Sequence, residues 1–422
     1  MPCRQRPAGG FVAVVTKQIE AGRALTDIYP ARFFTLCRKE DAMSKQRIQL
    51  SDHFTYSRLL RFVLPCIGTM LFTSIYGIVD GLCVSNFVGK TAFAAVNLIM
   101  PLPMLMGSIG FMLGTGGSAI VGITLGEGDQ KKADRYFTLF LLAALVSVSV
   151  LAVLGIVFLR PIAVLLGAKG ELLDYAVRYG RILMVSLPTF ALQNMFQSFF
   201  VTAEKPHLGF WFTVGAGCTN MMLDVLMVGI WGWGVEGAAI ATFISQLVGG
   251  VLPVFYFIDR SNSSRLHLCK TSFYSKVLRD ACINGSSELM TNLSMSLVNI
   301  LYNYQLLRLA GENGVAAYGV IMYAAFLFVA VFVGYAVGSA PIVSFHYGAR
   351  NHAEVHNLYR KSLRLIAVVA VTLTLASMFI IPCVARVFVG YDAELLALTS
   401  RAFRLYALSF LIMGFNVYAS SF

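Results

Sequence analysis

Charge is scarce in this chain of 422 residues: Asp, Glu, Lys and Arg together make up 13%, about half the roughly 25% of soluble domains. So little charge excludes an ordinary soluble protein. Histidine is scarcer still, with six in all and none in the middle of an apolar run. A buried serine such as Ser118, in Gly116-Gly117-Ser118, therefore has no base to activate it, and the chain is expected not to be an enzyme. The eight cysteines, at 3, 37, 66, 83, 218, 269, 282 and 383, form no CxxC pair and no metal-ligand spacing. They exclude a structural metal site and read as small apolar thiols. The net charge of +12 comes without a basic patch interleaved with aromatics, which excludes a nucleic-acid partner. Nothing in the sequence calls for an organic cofactor.

What is abundant is apolar length. With 57% hydrophobic residues and a mean hydropathy of +0.72, the sequence breaks into ten runs close to the roughly 20 residues that span a bilayer. They are 59–84, 92–123, 136–159, 182–202, 207–231, 235–258, 281–307, 315–343, 365–385 and 405–422. Alternating the connections between two sides places 17 Lys/Arg on the side of the first connection and 9 on the other. The excess marks the first side as cytoplasmic, so the N-terminus and the basic connection 259–280 are expected inside the cell. Asn262-Ser263-Ser264 matches a glycosylation acceptor but falls on that inner connection. Residues 1–42 have seven Lys/Arg, four acids and no apolar run. Met43 is expected to be the true start, and 1–50 a disordered or mis-annotated extension; the acids Glu20, Asp27, Glu40 and Asp41 argue against a transit peptide.

One unit occurs twice. At a constant shift of 222 residues, Ala94–Met100 falls on Ala316–Met322, Ile120 and Val121 on Ile342 and Val343, Gly126 on Gly348, and Asn194–Phe200 on Asn416–Phe422. Six spans per copy keep both copies in one orientation, as parallel repeats about an axis along the membrane normal, with function expected at their interface. The expected fold is all-α and polytopic, with two pseudo-symmetric six-helix lobes. The N-lobe is 51–258, the linker 259–280 and the C-lobe 281–422. On this reading the second lobe is truncated, so about ten helices are present and helices 11 and 12 are missing. A ten-helix protein is the alternative, disfavoured because it would turn polar groups toward lipid.

The candidate chemistry is in polar residues inside the apolar runs. Asp80 lies well within the first, where an ionised side chain costs at least roughly 2.5–3.5 kcal/mol and ordinarily has a task. Thr69, Thr73, Tyr76 and Asp80 share one helical face by their spacing of 4, 3 and 4. In the fifth run Asn220 and Asp224 stand one turn apart. Thr242 in the sixth run, with Asn194 and Gln197 in the fourth, completes a set of oxygen donors. Two carboxylates among neutral amide and hydroxyl oxygens suit a proton or a sodium ion, because burial and a bound cation act oppositely on a carboxyl group. A second column, Glu288, Asn292, Ser296, Asn299 and Asn303, follows one face of the seventh run and reads as a cavity wall. Gly110 with Gly114, and Gly334 with Gly338, have the small-xxx-small spacing of close helix packing.

The segments FVLP (62–65), IYGIVDGLCVSNFVG (75–89), AAVNLIMP (94–101), GTGGSAIVGITLGEGD (114–129) and NMMLDVLMVGIWGWGVEGAAIATFISQ (220–246) resemble the multidrug and toxic compound extrusion (MATE) transporters. The resemblance covers 51–422 and is most similar to the damage-inducible and staphylococcal-type branch. It implies two six-helix lobes around a central cleft and export of organic, often cationic, amphipathic compounds in exchange for protons or sodium ions. It places the N-lobe cation site at Asp80, Asn220, Asp224, Thr242 and Asn194, with a sodium ion at Asp80, Asn220 and Asp224 as one option. Tyr76, Gln197 and the seventh-run column then line the cleft, and Glu288 stands near a glutamate that some members use.

The expected protein is therefore a monomeric cation-coupled antiporter of the inner (plasma) membrane, working by alternating access. One rival is a lipid-linked precursor flippase of the same superfamily. It would need Arg or Lys at mid-membrane depth, and the first, second, seventh and eighth runs hold none beyond Arg61 at an end. The other rival is a membrane receptor, which a flux assay would separate.

Overall fold

The computed structural model describes residues 48–88, 90–389 and 393–421, and among them every regular element is helical. In order these are α1 (Tyr56–Phe87), α2 (Lys90–Ile99), α3 (Pro101–Gly126), α4 (Gln130–Leu165), α5 (Glu171–Thr202) and α6 (Pro206–Asp224). A π-helical turn (Val225–Ile230) leads to α7 (Gly234–Gly250), α8 (Leu252–Ile258), α9 (Ser275–Gly348), α10 (His352–Val389), α11 (Ala393–Ala407) and α12 (Phe410–Ser421). Residues 1–47 lie outside the described residues. Packing already begins at Leu50, fully buried, inside the stretch 1–50 assigned above to the extension.

Local chemistry sets the boundaries. Pro101 and Pro103 open α3 and remove two amide donors that would have joined it to α2, so the expected run 92–123 is two helices. The left-handed Gly128 (φ 87°) ends α3, and Asp129 then caps α4 by accepting the Lys132 amide at 3.0 Å. Helix α4 exposes Leu142, Val146, Val150, Val153 and Val157, an apolar stripe at helical spacing of the kind lipid covers. Among the described residues seven helices are long and apolar enough to cross a membrane, or eight if Leu396–Ala407 and Phe410–Ser421, bent by 49°, form one span. Ten runs were expected. Runs 182–202 and 281–307 fall outside that set because Gln193, Asn194 and Gln197 in one, and Glu288 and its neighbouring amides in the other, lower their hydropathy.

Helix α9 is continuous in backbone geometry over 74 residues, yet it cannot be straight. The rings of Tyr302 and Tyr318 stack with centroids 5.4 Å apart, whereas sixteen residues of straight helix would part them by about 24 Å. The chain doubles back between them, which separates the seventh and eighth expected runs.

Glycines let backbones meet. A Cβ on Gly116 would stand 2.0 Å from the Ala281 carbonyl oxygen, and one on Gly285 would stand 1.9 Å from that of Met112. Gly110 and Gly114 press on Ala191 and Met195 of α5, and Gly334 and Gly338 on Ile67 and Val63 of α1. The contact between α3 and the end of α9 is reciprocal. A Cβ on Gly126 would meet the Phe345 oxygen at 2.0 Å, and one on Gly348 would meet the Ile123 oxygen at 2.1 Å. Positions 126 and 348, like 123 and 345, are 222 apart, so repeat-related residues exchange the same contact, as across a two-fold axis.

The connections expected to be cytoplasmic gather at this end. The segment before α1 is strapped to both halves. Leu50 N–H donates to Glu204 at 2.9 Å, Phe54 N–H donates to Glu354 at 2.9 Å, and Lys361 donates to the Phe54 carbonyl at 2.6 Å. His53 Nδ1 lies 2.6 Å from the other Glu354 oxygen. Arg265, in the connection after α8, pairs with Glu204 and covers the Phe345 ring.

Candidate functional site: a buried acid pair

Helices α1 and α6 meet at Gly217, where a Cβ would lie 2.5 Å from Phe72 and 3.0 Å from Tyr76. One turn beyond Tyr76 on α1 is Asp80. Two turns beyond Gly217 on α6, and one beyond Asn220, is Asp224. The close approach thus brings the two acids together, with Asp80 9% exposed and Asp224 0%. The two carboxyl groups are near enough to act on each other directly. Asp224 is the last residue of α6, where the backbone widens into the π-helical turn; such turns recur at functional sites.

The surroundings offer these acids little. Oδ1 of Asp80 and both carboxyl oxygens of Asp224 are buried without a protein donor. Ionised carboxylates only accept hydrogen bonds, so two of them face to face need a positive species between them. Two unit charges about 4 Å apart repel by about 4 kcal/mol at an effective dielectric of 20, and a shared proton or metal cation removes that cost. On the faces of α1 and α6 that carry the acids, the Thr73 hydroxyl and Asn220 Nδ2 are also buried without a partner, as is Asn194 Nδ2 on α5. The set is made of oxygen donors with amides that can turn either end inward, and it fits a proton or a hard cation such as sodium.

The other expected residues divide. Thr242 gives its hydroxyl hydrogen to the Ala238 carbonyl at 3.0 Å, which leaves its lone pairs free. Asn194 is buried on α5 beside α3, and no described contact joins it to the acids. Tyr76, half-buried, packs against Phe72 at 6.2 Å between ring centroids. Gln197 shares a cavity of about 10 Å³ with Cys66, Thr69 and, from α9, Val337, room for at most one water. Thr69 itself donates to the Pro65 carbonyl at 2.9 Å. Glu288 and Asn292 lie on α9, half-buried, and Asn292 donates to the Glu288 carbonyl at 2.9 Å. The side chains of Ser296, Asn299 and Asn303 lie outside the described residues.

Sequence reasoning missed Tyr179. It is fully buried, its hydroxyl has no protein partner, and it sits within electrostatic range of both acids. Hydropathy placed it in the connection before the fourth run, but α5 starts eight residues earlier, at Glu171. A long buried helix with a tyrosine in its polar first third was the only signal.

These features define a multi-pass helical membrane protein with an acid pair sealed among its N-terminal helices. The MatE family model matches residues 65–226 and 289–422, and the chain belongs to that family. It is 22% identical over 316 residues to the multidrug export protein MepA of Staphylococcus saprophyticus, covering 74% of this chain and 69% of that one. MepA of Staphylococcus aureus is 21% identical over 323 residues, 76% of this chain and 71% of its own. Among solved structures, MATE in complex with MaL6 superposes with a TM-score of 0.82 at 22% identity, over 87% of this chain and 83% of that one. An outward-facing multidrug resistance MATE family transporter of the MOP superfamily gives 0.81 at 22%, over 87% and 82%. At these identities the structures speak for the fold.

Proposed function

We propose that the protein is a cation-coupled antiporter that exports organic, cationic amphipathic compounds; the names of its MepA relatives, multidrug export proteins, support the export part of that reading. The observation that carries it is the pair Asp80 and Asp224, buried face to face without a protein donor. A proton or sodium ion entering the pair neutralises it and weakens its hold on a cationic cargo. Cargo in turn competes for the same negative charge. Ion and cargo therefore favour different states of the carrier, which is what exchange requires. The reciprocal seam around Gly126 and Gly348 supports two repeat-related halves that close at the end carrying the basic connections. With that end inside the cell, this is the outward-facing state in a bacterial plasma membrane. The flippase reading finds no support at the acid pair, since a phosphate-bearing cargo would be repelled by it.

The test is dye efflux from proteoliposomes under an imposed pH or sodium gradient, using the wild type, Asp80→Asn and Asp224→Asn. Both variants are expected to insert and to unfold no earlier than wild type, because an amide opposite a carboxylate relieves repulsion and supplies a donor. Both are expected to lose gradient-driven export. Wild-type export by either variant would remove the acid pair from the mechanism.

A further inference from the structure

At the end where the connections gather, the chain after α8 runs across the first turns of α4 and is stitched to it. Asp134 Oδ1 accepts the His267 amide at 3.0 Å and the Gln130 side chain at 3.2 Å. Thr138 Oγ1 accepts the Cys269 amide at 3.1 Å, and Thr271 Oγ1 donates to the Arg135 carbonyl at 2.8 Å. These bonds fix the walls of a cavity of about 490 Å³ lined by Lys131, Arg135, Arg260, Lys270, His267 and Asp134.

Four cations thus surround one carboxylate, and the oxygen of that carboxylate that faces the chain already accepts two bonds. None of the described ion pairs includes Lys131, Arg135 or Lys270. The Nε2 atom of His267 is buried with no protein partner. The positive-inside bias explains why cations collect at this end of the molecule. It does not explain why they line a walled cavity from two separate segments, or why the acids of this end pair elsewhere, as Glu204 does with Arg265 and Glu354 with His53. A cavity with an excess of three fixed positive charges and a spare imidazole nitrogen is built for a compact anion with several acceptor oxygens.

We propose that this cavity binds a phosphate group, presented either by the headgroup of an anionic phospholipid in the adjoining leaflet or by free phosphate. The site is separate from the acid pair and takes no part in the exchange of ion for cargo.

The experiment uses the full chain purified in detergent. Binding of short-chain phosphatidylglycerol, short-chain phosphatidylcholine and inorganic phosphate is measured by calorimetry for the wild type and for Arg135→Gln/Lys270→Gln. Each cation near such a group contributes about fivefold in affinity, so the double variant is expected to bind about 25-fold more weakly. The charge-keeping Arg135→Lys/Lys270→Arg variant is expected to retain most of the affinity, and Lys276→Gln, at the same end but outside the cavity, to retain all of it. Preference for phosphatidylglycerol over phosphatidylcholine assigns the site to lipid, and binding of inorganic phosphate alone assigns it to a soluble anion. Should the double variant fail to fold, the single Lys131→Gln, on an exposed side chain, is expected to show a fivefold loss. Equal affinity in wild type and charge-removed variants, measurable binding of both lipids with equal affinity, or binding of none of the probes would overturn the proposal.

Discussion

The glycine seam gives the sharpest test of how this molecule closes. In Gly348→Ala the new methyl carbon would start 2.1 Å from the Ile123 oxygen and 2.7 Å from its carbonyl carbon. Both obstructing atoms are backbone, so no side chain can rotate away. Restoring ordinary contact, 3.4 Å or more, from 2.1 Å means parting α3 and α9 by at least 1.3 Å, and overpacking of this kind costs about 1–3 kcal/mol. Opening of the seam relieves the strain completely, so the whole cost acts on the closed state. A bias of that size shifts the ratio of open to closed about 5- to 150-fold. Spin labels placed on the exposed Glu127→Cys and Arg350→Cys would read the seam distance by double electron-electron resonance. A longer-distance population is expected to grow in Gly348→Ala. Because the contact is reciprocal, Gly126→Ala, whose methyl would meet the Phe345 oxygen at 2.0 Å, is expected to do the same. Gly319, with nothing within 4 Å of its Cβ position, supplies the control Gly319→Ala. Unchanged distances in both seam variants, or a response in only one of them, would refute the reasoning.

Two further outcomes are expected. Gly217→Val, whose side chain would collide with Phe72 and Tyr76, should push α1 off α6 below the acids and raise the ion concentration for half-maximal efflux by about tenfold, 1.4 kcal/mol, with both acids intact; an unchanged ion dependence would show that their spacing is immaterial. Glu354→Ala leaves the buried Phe54 amide without its acceptor, a loss of about 1–3 kcal/mol, so hydrogen exchange across 48–55 should rise about tenfold or more; equal exchange would mean the strap holds by its apolar contacts alone.

Much of this site can be read from spacing. Asn220 and Asp224 at i and i+4 must share a face of any helix, and a carboxylate inside an apolar run, such as Asp80, must find a polar enclosure. Tyr179 was hidden because hydropathy registers where a helix is oily, not where it starts; α5 enters at Glu171 through eleven residues that include Asp174, Arg178 and Arg181. The same polarity keeps α5 and the first part of α9 below the apolarity of a typical span, so hydropathy marks these helices least clearly. The break at Met100 follows from the amide donors lost at Pro101 and Pro103, which hydropathy does not register. No sequence rule signals the π-helical turn after Asp224, which depends on how α6 reaches the left-handed Gly232 and Gly234 (φ 68° and 63°). The repeat shift of 222, by contrast, is visible in the bare sequence and is the shift the seam contacts obey.

Helix α1 connects the two ends of the argument. It carries Asp80 and, fourteen residues earlier, the backbone at Cys66 and Ile67 against which Gly334 of α9 is pressed, with a Cβ position only 2.5 Å from the Ile67 Cα. Fourteen residues of helix span about 21 Å, so the acid pair and this seam contact stand at different depths on one rigid rod. A rod gripped by backbone contact at one level cannot tilt freely when charge changes at the other. In the proposed exchange, a cation entering between Asp80 and Asp224 would remove a repulsion of a few kcal/mol that pushes α1 from α6, and a resulting shift of α1 would be felt where Gly334 and Gly338 bear on it. Linkage makes such a coupling reciprocal: if the proposed ion shifts the seam equilibrium by some factor, opening the seam shifts the affinity for that ion by the same factor. Gly334→Ala is therefore expected to alter ion affinity without touching a single group of the site, measured as the sodium or pH dependence of dye efflux. An unaltered dependence, in a variant whose seam distances have changed, would show that α1 does not transmit the signal.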